Sequence, residues 1–440
     1  MVVSTFNNLS YDTRRVQSHN LAIESPVLPA PFDKIHAIRT EDYNERFFHG
    51  YEIRGTSYNS FCFEHSHDQF TVVDSCKDEF ADQYIATVAK ITGNLEKVTR
   101  IIVQHSEWDH SSSIVHLYQL CPNATLYACP NAIESMKRFF PALQDARWEA
   151  WKNGHTEDLP CGLRLTFIHT PLLHWNDSSA TKLDHIETGK GLLLSMDIFG
   201  AHIASEEVYI DEFIARFGEA KWEWEATDYY LNIVGSYILQ TKNLLAKAHT
   251  LGALDVVCPA HGPFYRNAED LGKVINLYSG FAQRKKTPGK VVIFYETNYN
   301  STAQTCEVIS NSLRAAGLKP LIMRVSAYDK SHWAHEAFDA EGFVFASATL
   351  NNTCLPYMAM VINYLGGLEF IKQRPVAIVS HFGWTQKACA NKMRLYLESE
   401  KAIICPNELY IKWRATDDEF DVVRTWTGAF IEFMKANPAK

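Results

Sequence analysis

Ten cysteines, at 62, 76, 121, 129, 161, 258, 306, 354, 389 and 405, include no Cys-x-x-Cys pair, which excludes a four-cysteine iron or zinc module as far as spacing reaches. Most lie in apolar, strand-like runs, the setting of buried reduced thiols. No apolar run approaches membrane-spanning length, and the opening twenty residues lack a signal-peptide core, so a cytoplasmic protein is expected. Residues 1–32 read as a polar arm, whose Arg14 and Arg15 among Ser and Thr leave a weak organellar presequence as the other reading. Basic excess is missing too: the formal net charge of −9 argues against nucleic acid and anionic membranes and suits a partner with a basic face.

What is present is the composition of a globular α/β protein, 46% apolar and 21% charged, over 440 residues, too long for one core. The densest chemistry lies in residues 103–113, VQHSEWDHSSS, which pack His105, Glu107, Asp109 and His110 into six consecutive positions. An apolar strand ends just before them and helical spacing follows over 111–120, so these side chains sit on a strand-to-helix turn. Residues two apart on an extended segment face the same way, so His105 and Glu107 point to one side. Three more apolar runs end on candidate donors: His174 in TFIHTPLLHWNDS, Asp197 in LLLSMDIFG and His261 in VVCPAHGPF. Four imidazoles and three carboxylates without a thiolate suit iron better than a zinc–thiolate site.

Elsewhere in this half, residues 51–74 read as two strands joined by a hairpin around His65-Ser66-His67-Asp68, where polar residues collect without binding metal. Helices are expected over 77–94, 132–140 and 268–283, and strands over 99–104 and 125–128. Two further strands fall within 152–173, with Asn153-Gly154 as the hairpin signal, and His169 is read as a packed or supporting residue. The aromatics of 206–248, among them Trp222, Trp224, Tyr229, Tyr230 and Tyr237, read as core and interdomain packing. Glu206, Glu207, Asp211 and Glu212 read as a solvated face or a covering loop.

A Pro-Gly-containing basic linker at 285–290 ends the first domain, 33–284. Over 291–440 strands and helices alternate five times, which specifies an open parallel sheet of flavodoxin type, binding its ligand beyond the carboxyl ends of the strands. Three loops occupy those ends. The first is Thr297, Asn298, Tyr299, Asn300, Ser301 and Thr302, able to hold a phosphate monoester through hydroxyls and helix-start N–H groups. The second carries Ser347, Ala348, Thr349, Asn351 and Asn352, and the third Ser380, Phe382, Gly383 and Trp384.

The ligand run and its three companions resemble the metallo-β-lactamase superfamily, and within it the flavodiiron proteins. Hydrolytic members carry His-x-His-x-Asp-His and bind zinc, whereas the second position here is Glu107. The resemblance implies an αββα domain followed by a doubly wound five-stranded parallel sheet. It implies one iron on His105, Glu107 and His174, a second on Asp109, His110 and His261, and Asp197 bridging. Ser112 and Asn300 stand where the family often has Gly; Asn best tolerates a left-handed backbone. The three loops resemble the family's FMN-binding loops, with Trp384 beside the ring. The function so implied is reduction of dioxygen to water, of nitric oxide to nitrous oxide, or both. Electrons would come from a separate donor, a rubredoxin-like protein, a flavin reductase or reduced deazaflavin, and FMN would pass them across a head-to-tail homodimer or dimer of dimers. A dinuclear zinc hydrolase with a flavodoxin-like appendage is the alternative, and an electron carrier without catalysis a third reading. Tyr58, Tyr209 and Trp175 are candidates for tuning the choice of gas.

Overall fold

Two sheets packed face to face build the first half of the computed structural model, which describes residues 23–439. The first has seven strands in the order Ile23–Glu24, Ile35–Asp42, Thr56–Ser66, Gln69–Val73, Val98–Ile102, Thr125–Ala128 and Trp148–Ala150. The second runs Thr156–Asp158, Leu163–His169, Ser179–His185, Gly191–Met196 and Val256–Pro259. Helices Ala81–Thr92 and Ile114–Leu120 pack beside the first sheet, and its strands Ile35–Asp42 and Thr56–Ser66 are buried almost throughout. This is the expected αββα arrangement.

Parallel pairing at the sheet ends gathers the site. Gln69–Val73 runs parallel to Val98–Ile102, so both chains leave the sheet side by side. The buried Asp74 carboxylate then accepts from Gln104 N (2.8 Å) and Nε2 (2.7 Å), which fixes the start of the ligand turn. Burial pushes the Asp74 pKa up to about 6. In the second sheet Gly191–Met196 runs parallel to Val256–Pro259, which brings Asp197 and His261 together. Asn59, from the other sheet, donates to the carbonyls of Pro259 and Gly262, both at 2.9 Å. Gly262 has φ +82°, and a Cβ there would stand 2.7 Å from the Ala201 carbonyl, so no other residue fits this turn.

Several details depart from the sequence reading. Residues 23–32, assigned to the arm, join the first sheet: Ile23 and Glu24 pair with Thr40 and Arg39, and Leu28 and Phe32 are buried. Arg14 and Arg15 lie outside the described residues. Asn153-Gly154 closes no hairpin; it carries the chain from the first sheet to the second, and the hairpin turn lies between Thr156–Asp158 and Leu163–His169. The His-x-His pair does sit on a hairpin, with His65 bonded to Thr71 Oγ1 (2.9 Å) and His67 almost fully exposed.

The second half is built on a parallel sheet of five strand positions in which Lys290–Glu296, Lys319–Arg324, Gly342–Leu350 and Pro375–Phe382 lie in the order 2-1-3-4, with the short Thr353–Cys354 turned back antiparallel on Gly342–Leu350. The fifth position is split into Ile403–Ile404 and Leu409–Lys412, both pairing with Pro375–Phe382. Five helices, from Ser301–Ala315 to Asp417–Ala436, cover the two faces. The aromatics of 206–248 do hold the halves together: Tyr230 stacks on Phe281, whose edge meets Phe338, and Trp224 stacks on His335 at 3.9 Å. Among the described residues no helix is long and apolar enough to cross a membrane.

Candidate metal centre

Each expected donor leaves a strand end or the short helix Trp108–Ser111, and all seven side chains converge, buried, in two groups. In one, His105 Nε2 and His174 Nε2 stand 3.2 and 2.9 Å from Glu107 Oε2, and 3.7 and 3.5 Å from Asp197 Oδ2. In the other, His110 Nε2 and His261 Nε2 stand 3.2 and 3.3 Å from Asp109 Oδ2, and 3.3 and 3.4 Å from Asp197 Oδ1. Donors about 2.0–2.2 Å from a common cation are separated by roughly 3–3.5 Å, so each group has the spacing of a coordination shell. Asp197 turns one oxygen to each.

Unsatisfied atoms give an independent test of fit. Both Asp109 oxygens, both His110 ring nitrogens and Asp197 Oδ2 are buried without a hydrogen-bond partner, a heavy cost unless cations stand among them. The remaining valences are oriented from outside. His105 Nδ1 donates to Asp177 Oδ1 (3.1 Å), whose other oxygen accepts from Ser106 N (3.0 Å). His261 Nδ1 donates to the Ser57 carbonyl (2.7 Å), Tyr229 Oη donates to Asp197 Oδ1 (3.2 Å), and His49 Nε2 donates to Glu107 Oε1 (2.6 Å). Such bonds select the ring tautomer and hold each donor at its angle.

Asp177, His49 and Tyr229 were not singled out as partners of the ligands. Asp177 had a signal, three positions past His174 in the same run; His49 had none, since its partner is 58 residues away. Of the tuning candidates, Trp175 meets the His105 ring edge-on at 4.9 Å and Tyr58 lies 5.9 Å from His261. Tyr209 packs instead on Phe264 and Arg266. His169 bonds the Asn176 carbonyl and is no donor to the cluster. The acidic run is paired at the surface, Glu206 and Glu207 with Arg216, Asp211 and Glu212 with Arg266.

Crowded carboxylates shape the protonation of the cluster. Burial opposes a charged His110, but Asp109 and Asp197 outweigh it and raise its pKa to about 9; His105 is raised well above its usual value against burial, by Asp177 and Glu107. Glu107 and Asp197 are correspondingly held far below the carboxylate range despite burial, by the surrounding imidazoles. A raised histidine stabilises the metal-free fold fully below its ordinary pKa near 6.5, and that share is lost as pH rises through the folded value. Metal-free protein should therefore melt at falling temperatures as pH rises from about 6.5 to 9, the window set by His110. Metal-loaded protein, its imidazoles already neutral, should not show this decline, which melting curves of both forms across that range will check.

At the carboxyl ends of the second half, Asn298, Tyr299, Ser301, Ala348, Thr349, His381, Phe382, Gly383 and Trp413 line an open depression of about 80 Å³. Asn300 is left-handed (φ 65°) and leaves the first N–H groups of Ser301–Ala315 without a side-chain cap. Thr297 Oγ1, Thr302 Oγ1 and Ser380 Oγ are buried without partners, as expected where a phosphate and a polar ring edge would bind. Ser347 is spent within its own turn, accepting from Leu355 N (3.0 Å). Asn351 and Asn352 are left-handed at the next turn, and Trp384 stands 85% exposed beside Trp413. Trp413, from the fifth strand position, was missed; a Cβ on Gly383 would meet its indole at 2.5 Å.

A family profile described as ODP family beta lactamase matches residues 57–262, the stretch that holds all seven donors. A rubredoxin-oxygen oxidoreductase of Megalodesulfovibrio gigas is 30% identical over 357 residues, covering 80% of this chain and 85% of that protein. A nitric oxide reductase of Moorella thermoacetica matches with the same identity and coverage. Among solved structures, the flavodiiron protein of Giardia intestinalis superposes with a TM-score of 0.81 at 25% identity, covering 94% of this chain and 99% of that one. With two sheets ending on a paired donor cluster and a flavodoxin-like half behind it, the chain belongs to the flavodiiron proteins.

Proposed function

We propose that the chain reduces dioxygen to water, nitric oxide to nitrous oxide, or both, at a diiron pair supplied with electrons through FMN. The observation that carries this is the paired donor set, four imidazoles and three carboxylates sharing Asp197. In this reading His105, Glu107 and His174 would hold one iron, Asp109, His110 and His261 the other, with Asp197, which turns an oxygen to each group, shared between them. Thr297, Asn298, Ser301 and Thr302 would hold the FMN phosphate, and the Ala348–Thr349 and Phe382–Gly383 loops would receive its ring. Bound iron and flavin would supply the redox chemistry.

The protein's own residues supply geometry. Asp177 and the Ser57 carbonyl fix the outer nitrogens of His105 and His261, which commits the inner nitrogens to the metal side. Tyr229 and His49 place hydroxyl and imidazole donors on Asp197 and Glu107, where they bear part of the carboxylates' negative charge. The Phe48 and Trp175 rings lie against His261 and His105 and keep bulk water off them. The rubredoxin-type donor named in the relatives suits a separate electron source here. A head-to-tail homodimer is supported by exposed aromatics at both sites, Tyr299, Trp384 and Trp413 around the flavin loops, Trp108 and Phe139 near the metal mouth.

Anaerobically reduced protein should consume one or both gases in parallel dioxygen and nitric oxide electrode traces, and should sediment as a dimer or larger. A colourless protein with two zincs and esterase activity would replace this reading with the hydrolase.

A further inference from the structure

Over the metal cluster lies a hairpin too small to hold its own place. Phe47–Phe48 pairs with Tyr51–Glu52, two residues on each side, joined by a turn at His49 (φ 45°) and Gly50 (φ 87°). Isolated hairpins of this size are not stable in water, and a left-handed histidine adds strain. Its position must come from what grips it. The tip faces inward: His49 donates to Glu107 Oε1 at 2.6 Å and meets the His174 ring at 5.2 Å, while Phe48 lies 4.5 Å from His202 and 5.9 Å from His261. One residue of the tip thus touches each half of the cluster.

The base faces the other domain. Glu52 Oε1 accepts from Lys330 Nζ at 2.6 Å and Oε2 from Lys330 N at 3.3 Å, across 278 residues of sequence. Lys330 opens the helix Lys330–Phe338 of the flavodoxin-like half, so Glu52 serves an otherwise unpaired first-turn N–H as well as the ammonium. The same Nζ lies 4.9 Å over the Phe47 ring. A single ion pair that still reaches solvent, as this one does with Glu52 35% exposed, contributes little to global stability. Here, with a backbone hydrogen bond and a cation–π contact, it fixes the direction of a short arm.

We infer that Glu52 and Lys330 are a positioning pair through which the flavodoxin-like half holds His49 on Glu107. Neither touches the cluster; they act on it through the hairpin. This rests on the reading of the cluster as the iron site.

The test uses full-length, iron- and FMN-loaded protein, reduced anaerobically, and follows loss of ferrous iron to ferrozine. Removing an outer partner of a ligand weakens metal binding by roughly 10–100-fold, so His49→Ala should release iron about 10-fold faster. Lys330→Ala and Glu52→Gln should each speed release by about 3–10-fold, below that ceiling, and Lys330→Arg should restore it. Glu52→Gln is isosteric and keeps the test informative should Lys330→Ala fold poorly. The deciding measurement is the double variant: coupled residues are non-additive, so Lys330→Ala with His49→Ala should release iron at the His49→Ala rate. Wild-type release from both Lys330→Ala and Glu52→Gln, or effects that multiply in the double variant, would overturn the inference. Wild-type protein that binds no iron pair would instead overturn the metal-centre reading itself.

Discussion

Asp197→Ala is expected to leave less than one iron per chain and to lower gas consumption more than 100-fold, with FMN content unchanged. Asp197 is the one donor that faces both groups, Oδ2 toward His105 and His174, Oδ1 toward His110 and His261. Without it, two carboxylates face the four positive charges of two ferrous ions in a pocket where every donor is buried. Charge left uncompensated at such a place is strongly unfavourable. A 100-fold loss corresponds to about 2.7 kcal/mol of transition-state stabilisation. Tyr229→Phe, which removes only the hydroxyl on Oδ1, separates loss of the bridge from loss of its support and should keep both irons. Metal analysis and electrode traces on the two variants check this, and two tightly held irons with normal turnover in Asp197→Ala would contradict it.

Asp177→Ala should weaken iron binding by about 10–100-fold although Asp177 touches no metal. Its carboxylate joins His105 Nδ1 to Ser106 N, so it fixes both the ring of the first ligand and the backbone that follows. Alanine leaves a buried Ser106 N–H without an acceptor, at a cost of about 1–3 kcal/mol, and frees His105 to take the wrong tautomer. Competition with a chelator of known affinity measures the loss. An unchanged affinity would mean that the turn alone orients His105.

The convergence of the seven donor side chains was legible because each segment follows an apolar run, and apolar runs announce strands whose ends meet where sheets stop. His105 to His110 were clearer still, since two imidazoles and two carboxylates in six positions have no use in a core. The second half was legible for the same reason, five apolar runs separated by helical spacing; its last strand broke where Pro406 removes a ladder donor. What sequence hid were contacts between distant segments. Glu52 with Lys330 and His49 with Glu107 involve residues ordinary in their own neighbourhoods, made functional by the packing of two sheets and a third. Tyr229 read as core because it is core, only 1% exposed, and its hydroxyl finds Asp197 only because the fold brings the end of the helix Glu219–Tyr229 to the residue that follows Gly191–Met196. Asn153-Gly154 misled because the dipeptide reports a tight turn, and whether the next strand pairs back or starts another sheet is decided by burial beyond it.

The proposed function requires two irons, one among His105, Glu107, His174 and Asp197 and one among Asp109, His110, His261 and Asp197. Anomalous diffraction at the iron absorption edge from crystals of the iron-loaded protein tests it most directly. Two peaks per chain are expected, one inside each group, with an Asp197 oxygen against each. A single peak, peaks only at the zinc edge, or density away from Asp197 would contradict it.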